Sequence, residues 1–380
     1  MSDIKNKDVN MNHLERWLGA EKIEMLRGNM RGWYGRPIYI TDLPGNVWID
    51  AQGNFRGHLR AGQFMTAVDA IEDGVKQWLK RFGQGLSEPQ YAQMNAGFAS
   101  ISDALARASQ GLSQRRPFNK VGPTGVVGVT SSLWRVGPQP AAGSAGAAAP
   151  GGTAHTSANT GALAYANPAA GTNHLVGADI SASVINNTLL IYDRLFSVAK
   201  TMNSTATEAV TGVPTRYQSA VDTDPDFAGD NFLFVEVGGT ALAATAHNWT
   251  VCTYVDQDGN TGATLPSLTG NASAIVDRLD HPVQQWFAPL ASGDTGIKNL
   301  TQMQASAAVA TGAINFVIGH PLGWASFPVI NSFFPIDWLG SRDQAPRIFD
   351  DACIAFLEPL KPATATTTYT GRVYTTNAAA

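Results

Sequence analysis

From residue 121 to residue 380 the chain is rich in Ala, Gly and Thr, poor in charge, and interrupted by short β-branched and aromatic runs. Runs of that kind, set off by Gly and Pro, are the sequence signature of strands joined by turns. Charge adds a second constraint. Charged residues make up 15% of the chain, against roughly 25% in ordinary globular proteins, while hydrophobic residues reach 44%. A polyelectrolyte chain that stays unfolded is thereby excluded, and a surface suited to packing against other protein is favoured over one built for chemistry.

The charge is unevenly placed. Residues 1–120 hold 16 Lys+Arg against 12 Asp+Glu, net +4, which leaves 10 and 18 of the chain's 26 and 30, net −8, for residues 121–380. A mildly basic first third is compatible with non-specific contact with nucleic acid, and equally with a solvated helical face. The start, Met1-Ser2-Asp3-Ile4-Lys5, lacks the apolar core of a secretory signal, and no stretch approaches the roughly 20 apolar residues of a membrane span. The expectation is a chain that stays soluble where it is made, with no membrane partner. The two cysteines, Cys252 and Cys353, lie in apolar runs and read as buried thiols, with a disulfide between neighbouring strands left open.

Three regions follow from the patterning. In residues 1–120, Val47-Trp48-Ile49 and Phe55-Arg56-Gly57 flank a Gly53-Asn54 turn and predict a hairpin. Phe64, Val68, Ile71, Val75, Trp78, Leu79 and Phe82 then fall on one helical stripe, as do Tyr91, Met94, Phe98, Ile101 and Leu105 after Pro89. Residues 121–183 combine strand-like segments over 126–136 with the stretch 138–171, nearly all Ala, Gly, Pro, Ser, Thr and Asn. Alone that stretch predicts a flexible loop, one that becomes ordered against neighbouring subunits. Residues 184–380 predict strands at Leu189–Ala199, Phe232–Val237, Trp249–Val255, Val283–Leu290, Asn299–Ala305, Ala313–Ile318, Ala352–Leu357 and Tyr369–Thr375. The fold class expected is mainly β with a helical N-terminal third, the body an antiparallel, jelly-roll-like β-sandwich.

Motifs for chemistry are sparse. There is no phosphate-cradling loop, no nucleophile elbow and no pair of histidines at ligand spacing, so neither a catalytic residue nor a cofactor is expected. The seven histidines are scattered and read as surface or capping residues. Asp222, Asp224, Asp226 and Asp230 form the one weak metal candidate, oxygen ligands for a hard cation in an incomplete pattern that also fits a solvated turn. Ser326, His320 and Asp337 supply the residue types of a hydrolytic triad without an oxyanion-hole signature. Trp286, Phe287, Trp324 and Trp338 read as sandwich core or as a glycan-stacking surface. The run from Gly323 to Trp338, apolar and aromatic despite two prolines, is an interface patch if exposed.

The segment Asn186-Asn187-Thr188-Leu189-Leu190-Ile191-Tyr192-Asp193-Arg194-Leu195-Phe196-Ser197-Val198-Ala199-Lys200-Thr201-Met202-Asn203, with Ala209 to Tyr217, Gly293 to Lys298 and the Thr-rich C-terminus, resembles the virion structural proteins of tailed bacteriophages. The resemblance is one of style, spans about the last 200 residues, and has no defining motif. It implies a capsid shell subunit, or else a head decoration protein, with copies of itself and other virion proteins as partners. The alternative fold it implies is the α+β tailed-phage capsid fold, in which the hairpin at 47–59 and the helices at 64–82 and 89–110 supply the extended loop and spine.

Overall fold

The computed structural model describes residues 38–39, 47–49, 55–57, 113–168, 171–218, 230–338 and 346–378. The chain divides into two compact units, Met1–Pro89 and Gln90–Ala380. In the first, Ile38–Tyr39, Val47–Ile49 and Phe55–Gly57 form a three-stranded antiparallel sheet. Ile49 stands opposite Phe55 and Val47 opposite Gly57, the hairpin that the Gly-Asn turn predicts. The expected helices at 64–82 and 89–110 lie outside the described residues.

In the second unit the named elements are all strands, and every ladder is antiparallel. The longer ones are β1 (Ser113–Val121), β2 (Thr172–Ala182), β3 (Asn187–Thr201), β4 (Phe232–Val237), β5 (Asn248–Asp256), β6 (Thr261–Thr264), β7 (Ile297–Ala305), β8 (Ala313–Phe327), β9 (Phe334–Asp337), β10 (Ile354–Glu358) and β11 (Thr368–Ala378). The central sheet runs β4-β8-β3-β10, closed by Ser131–Ser132. A second sheet runs β9-β2-β11-β1. A third holds β7-β5-β6.

The 15-residue strands β3 and β8 organise the unit, because their alternation builds three cores. Leu189 and Ile191 of β3, with Leu322, Ala325 and Phe327 of β8, pack against Ile180 of β2 and Tyr369 and Val373 of β11. Further along, Phe196 and Val198 with Phe316 and Ile318 pack against Trp249, Cys252 and Tyr254 of β5 and Leu300 and Met303 of β7. The other face carries Leu190, Tyr192, Phe234, Val317, Ala355 and Leu357 beneath Trp134 and Leu279. Two register shifts in the β3–β8 ladder, at Ile318/Gly319 and Pro321/Gly323, keep the alternation in phase while the strands bend from one core to the next. Each fully buried aliphatic or aromatic side chain here stabilises the fold by roughly 1.5–3 kcal/mol.

Two sequence expectations give way. Val283–Leu290 is not a strand: Pro282 precedes it, Gln284 has φ of 67°, and the segment turns so that Trp286 packs edge-on against Phe232 at 5.0 Å. Between 126 and 136 only Ser131–Ser132 pairs, because Gly128 at φ 76° breaks the run.

The Ala/Gly/Pro stretch is corrected more deeply. Residues 138–168 are held by their own chain. Thr153–Ala154 pairs with Ser197–Phe196, Ala148 bridges Ala199, and Trp134 Nε1 donates to the Ser144 carbonyl (2.7 Å). The small residues permit this. A Cβ on Gly143 would sit 2.2 Å from the Trp134 ring, one on Gly161 2.7 Å, and one on Gly146 2.5 Å from Ser197. The order expected from a neighbouring subunit is supplied by the indole of Trp134 and the edge of β3.

Candidate interaction surface

β8 alternates sharply where it leaves the core. Ala325 and Phe327 are buried while Trp324 and Ser326 are exposed, and the chain then turns through Pro328–Phe333 into β9, which pairs with β2 as Phe334↔Ile180 and Asp337↔Gly177. Proline limits φ and removes donors, so Pro328 and Pro335 fit a segment at a sheet margin. The result is a groove of about 640 Å³ between the β3–β8 end and β9, lined by Asn187, Trp324, Phe327, Phe334, Ile336 and Asp337 among others.

Its rim is apolar. Phe333 is 62% exposed, Val329 56%, Ile330 48% and Phe334 45%, with Ile185 beside the groove residue Asn186 at 52%. Exposing several large apolar groups together costs solvation free energy that contact with another surface recovers. Trp324 meets Trp286 edge-to-face at 5.1 Å, and Trp286 meets Phe287 at 4.6 Å, so three aromatic rings form a partly exposed cluster. Trp338, by contrast, is buried against Gly323 and belongs to the core.

The residues of the triad do not converge: Ser326 and Asp337 both line the groove, and His320 does not. His320 is buried, stacked on Tyr217 at 4.0 Å with Nδ1 2.9 Å from Asn231 Oδ1. Ser326 is exposed six residues further along β8, roughly 20 Å at strand rise, and Asp337 is exposed on β9. Of the metal candidates, Asp222, Asp224 and Asp226 lie outside the described residues and Asp230 is exposed. Among the described residues no group of three or more His, Cys, Asp or Glu is placed to hold a metal ion.

The histidines overturn the surface expectation. His155, His174, His247, His281 and His320 are all buried. Burial presses His320 down to about 3 and His281 to about 4, so both are neutral imidazoles at pH 7. His155 is lowered as well, by burial and then by the charges of Arg194 and Arg216, and its Nε2 is 2.7 Å from Ser197 Oγ. His247 differs. Burial opposes its charge, but the hydrogen bond and charge of Asp280 raise it overall, and Asp280 also accepts from Trp249 Nε1 (2.9 Å).

Buried ion pairs accompany them. Arg216 holds Asp193 through two hydrogen bonds (2.8 and 2.7 Å), and Arg194 holds Glu236 through two more (3.2 and 2.6 Å) while lying over the Trp134 ring. The sequence signal for these charges is slight: Asp193, Arg194 and Glu236 lie inside apolar strands, and Arg216 lies in a connecting segment with none. Cys252 and Cys353 are free and buried in different cores.

Comparison with protein-family models, with curated proteins and with solved structures returns no match.

Proposed function

We propose that this chain is a virion structural protein, a capsid shell subunit that assembles in many copies to enclose a genome. The observation that carries this reading is the exposed apolar rim and groove around Trp324–Asp337, on a body of low charge. Lateral contact between copies would cover Val329, Ile330, Phe333 and Phe334, whose exposure is otherwise unfavourable. In this reading the layered sheets are a jelly-roll-like β-sandwich, the N-terminal third is helical, and its net positive charge gives weak, sequence-independent contact with packaged nucleic acid.

A second reading rests on the Trp286–Trp324 pair with Phe287. Aromatic faces at a surface stack on sugar rings, as a decoration protein or a receptor-binding fibre module would use them to hold a host glycan. Negative-stain electron microscopy with size-exclusion chromatography and light scattering separates the two. Closed particles tens of nanometres across, made by the purified chain, are the expected result. A monodisperse monomer or trimer removes self-sufficient shell assembly and moves the weight to the second reading.

A further inference from the structure

Glu358, the last residue of β10, has a fully buried carboxylate on which three side chains converge. Asn187, the first residue of β3, donates from Nδ2 to Oε1 (2.6 Å) and Tyr369 of β11 donates from its hydroxyl to the same oxygen (3.0 Å). Lys361 Nζ lies 2.9 Å from Oε2. Asn187 and Glu358 have no exposed surface and Lys361 has 1%.

The ammonium is adjacent to the carboxylate without being committed to it. Lys361 Nζ donates to the carbonyls of Pro123 (2.8 Å) and Ala365 (3.3 Å), and Glu358 Oε2 has no well-aligned donor. Asn187 Nδ2 also donates to Thr367 Oγ1 (2.9 Å), and apolar groups border this polar cluster. Phe327 stands directly across from Asn187, the Tyr369 ring packs on Phe327, and Leu133 approaches from the Gly122 side. Transfer of one proton from the ammonium to the adjacent Oε2 leaves a neutral amine, a nucleophile. The electrophile it could meet is the Asn187 carboxamide, held by the other oxygen of the same carboxyl group, whose Oδ1 accepts from the Thr188 backbone N–H (2.9 Å), which polarises the carbonyl.

The geometry points to an intramolecular isopeptide bond between Lys361 and Asn187, with Glu358 as the proton carrier. The Lys361 ammonium passes a proton to Glu358, and the free amine attacks Cγ of Asn187, forming the Nζ–Cγ bond. Glu358 delivers its proton to Nδ2, which it already contacts, and the Cγ–Nδ2 bond breaks as the carbonyl re-forms. Ammonia leaves, and the surplus proton of the new amide nitrogen returns to Glu358 or departs with ammonia as ammonium. Nothing is oxidised or reduced, and no co-reactant is needed. The bond ties the start of β3 to the segment after β10, and a cross-link between sites so far apart in the chain stabilises by restricting the unfolded state.

Intact-mass spectrometry of the denatured full-length chain tests this. The folded protein, once denatured, is expected to weigh less than its sequence mass by one ammonia, about 17 Da. Tandem spectra of a digest should then show a branched peptide joining the segments that hold Asn187 and Lys361. Lys361→Arg, which keeps a cation beside Glu358, and Glu358→Gln should both show the full mass while circular dichroism reports folded protein. Full sequence mass in the folded wild-type chain overturns the proposal, and so does a loss of ammonia mapped to another asparagine.

Discussion

At the residue scale, the chain places charge and imidazole where a β core ordinarily places hydrocarbon. Asp193 and Arg216 lie between the two apolar clusters on one side of the central sheet, and Arg194 and Glu236 lie on the other side. Removing one member of such a pair leaves an unpaired buried charge and costs about 3–5 kcal/mol. The neutral histidines make a pH-dependent contribution with a definite sign. In the unfolded chain an imidazole titrates near 6.5, whereas folded His320 titrates near 3. As pH falls below 6.5 the unfolded state takes up a proton that the folded state refuses, so stability is lost as pH falls from 6.5 towards 3. At pH 5 that amounts to about 2 kcal/mol for one such histidine. His247, raised by Asp280, acts oppositely and stabilises below its folded value, and Asp277, raised to about 6 by burial and then by Glu236, also favours the folded state as pH falls. Urea midpoints measured from pH 7 to pH 5 should therefore fall less steeply in His320→Gln than in the wild type. Equal slopes would show that His320 is not held neutral.

At the element scale, the strands legible in the sequence are those whose apolar run or apolar alternation enters a core. Phe232–Val237 is a strand over its whole predicted length, and the runs at 189–199, 249–255, 299–305, 313–318, 352–357 and 369–375 lie within or largely within observed strands. β1 was not legible, because Ser-Gln-Arg-Arg-Pro-Phe-Asn-Lys-Val has no apolar alternation and becomes a strand by pairing with β11. β2 was hidden similarly in a Thr/Gly/Ala context and is fixed by β11 and β9 on its two sides. The segment 138–168 is the clearest case of tertiary override, since glycines placed against Trp134 convert a low-complexity stretch into a fitted cover. Gly143→Ala, whose Cβ would meet that indole, should cost about 1–3 kcal/mol in urea unfolding. Gly151→Ala in the same stretch has open space at its Cβ and should stay within about 0.5 kcal/mol. Equal effects would mean that the segment is not packed on Trp134.

At the scale of the whole molecule, the described body carries an apolar rim at 328–334 on a chain of low charge. Phe333→Glu combined with Ile330→Glu places two charges on exposed positions that contact no core, so the melting temperature should move by no more than 2–4 °C, a shift of about 1 kcal/mol in a chain of this size. Assembly or self-association measured by light scattering should fall at least tenfold. Unchanged association would place the contact surface elsewhere. Alternation and β-branching are local properties, so the antiparallel β class of the described body, most of its core strands and the apolar character of 323–338 are legible in the chain alone. Long-range packing settles that residues 328–335 face solvent while Phe327 and Trp338 enter the core, that His320 stands apart from Ser326 and Asp337, and that Asn187, Glu358 and Lys361 meet around one carboxylate. Those outcomes depend on which strands become neighbours and on the face each side chain takes after a register shift, and neither is encoded within a short window of the chain.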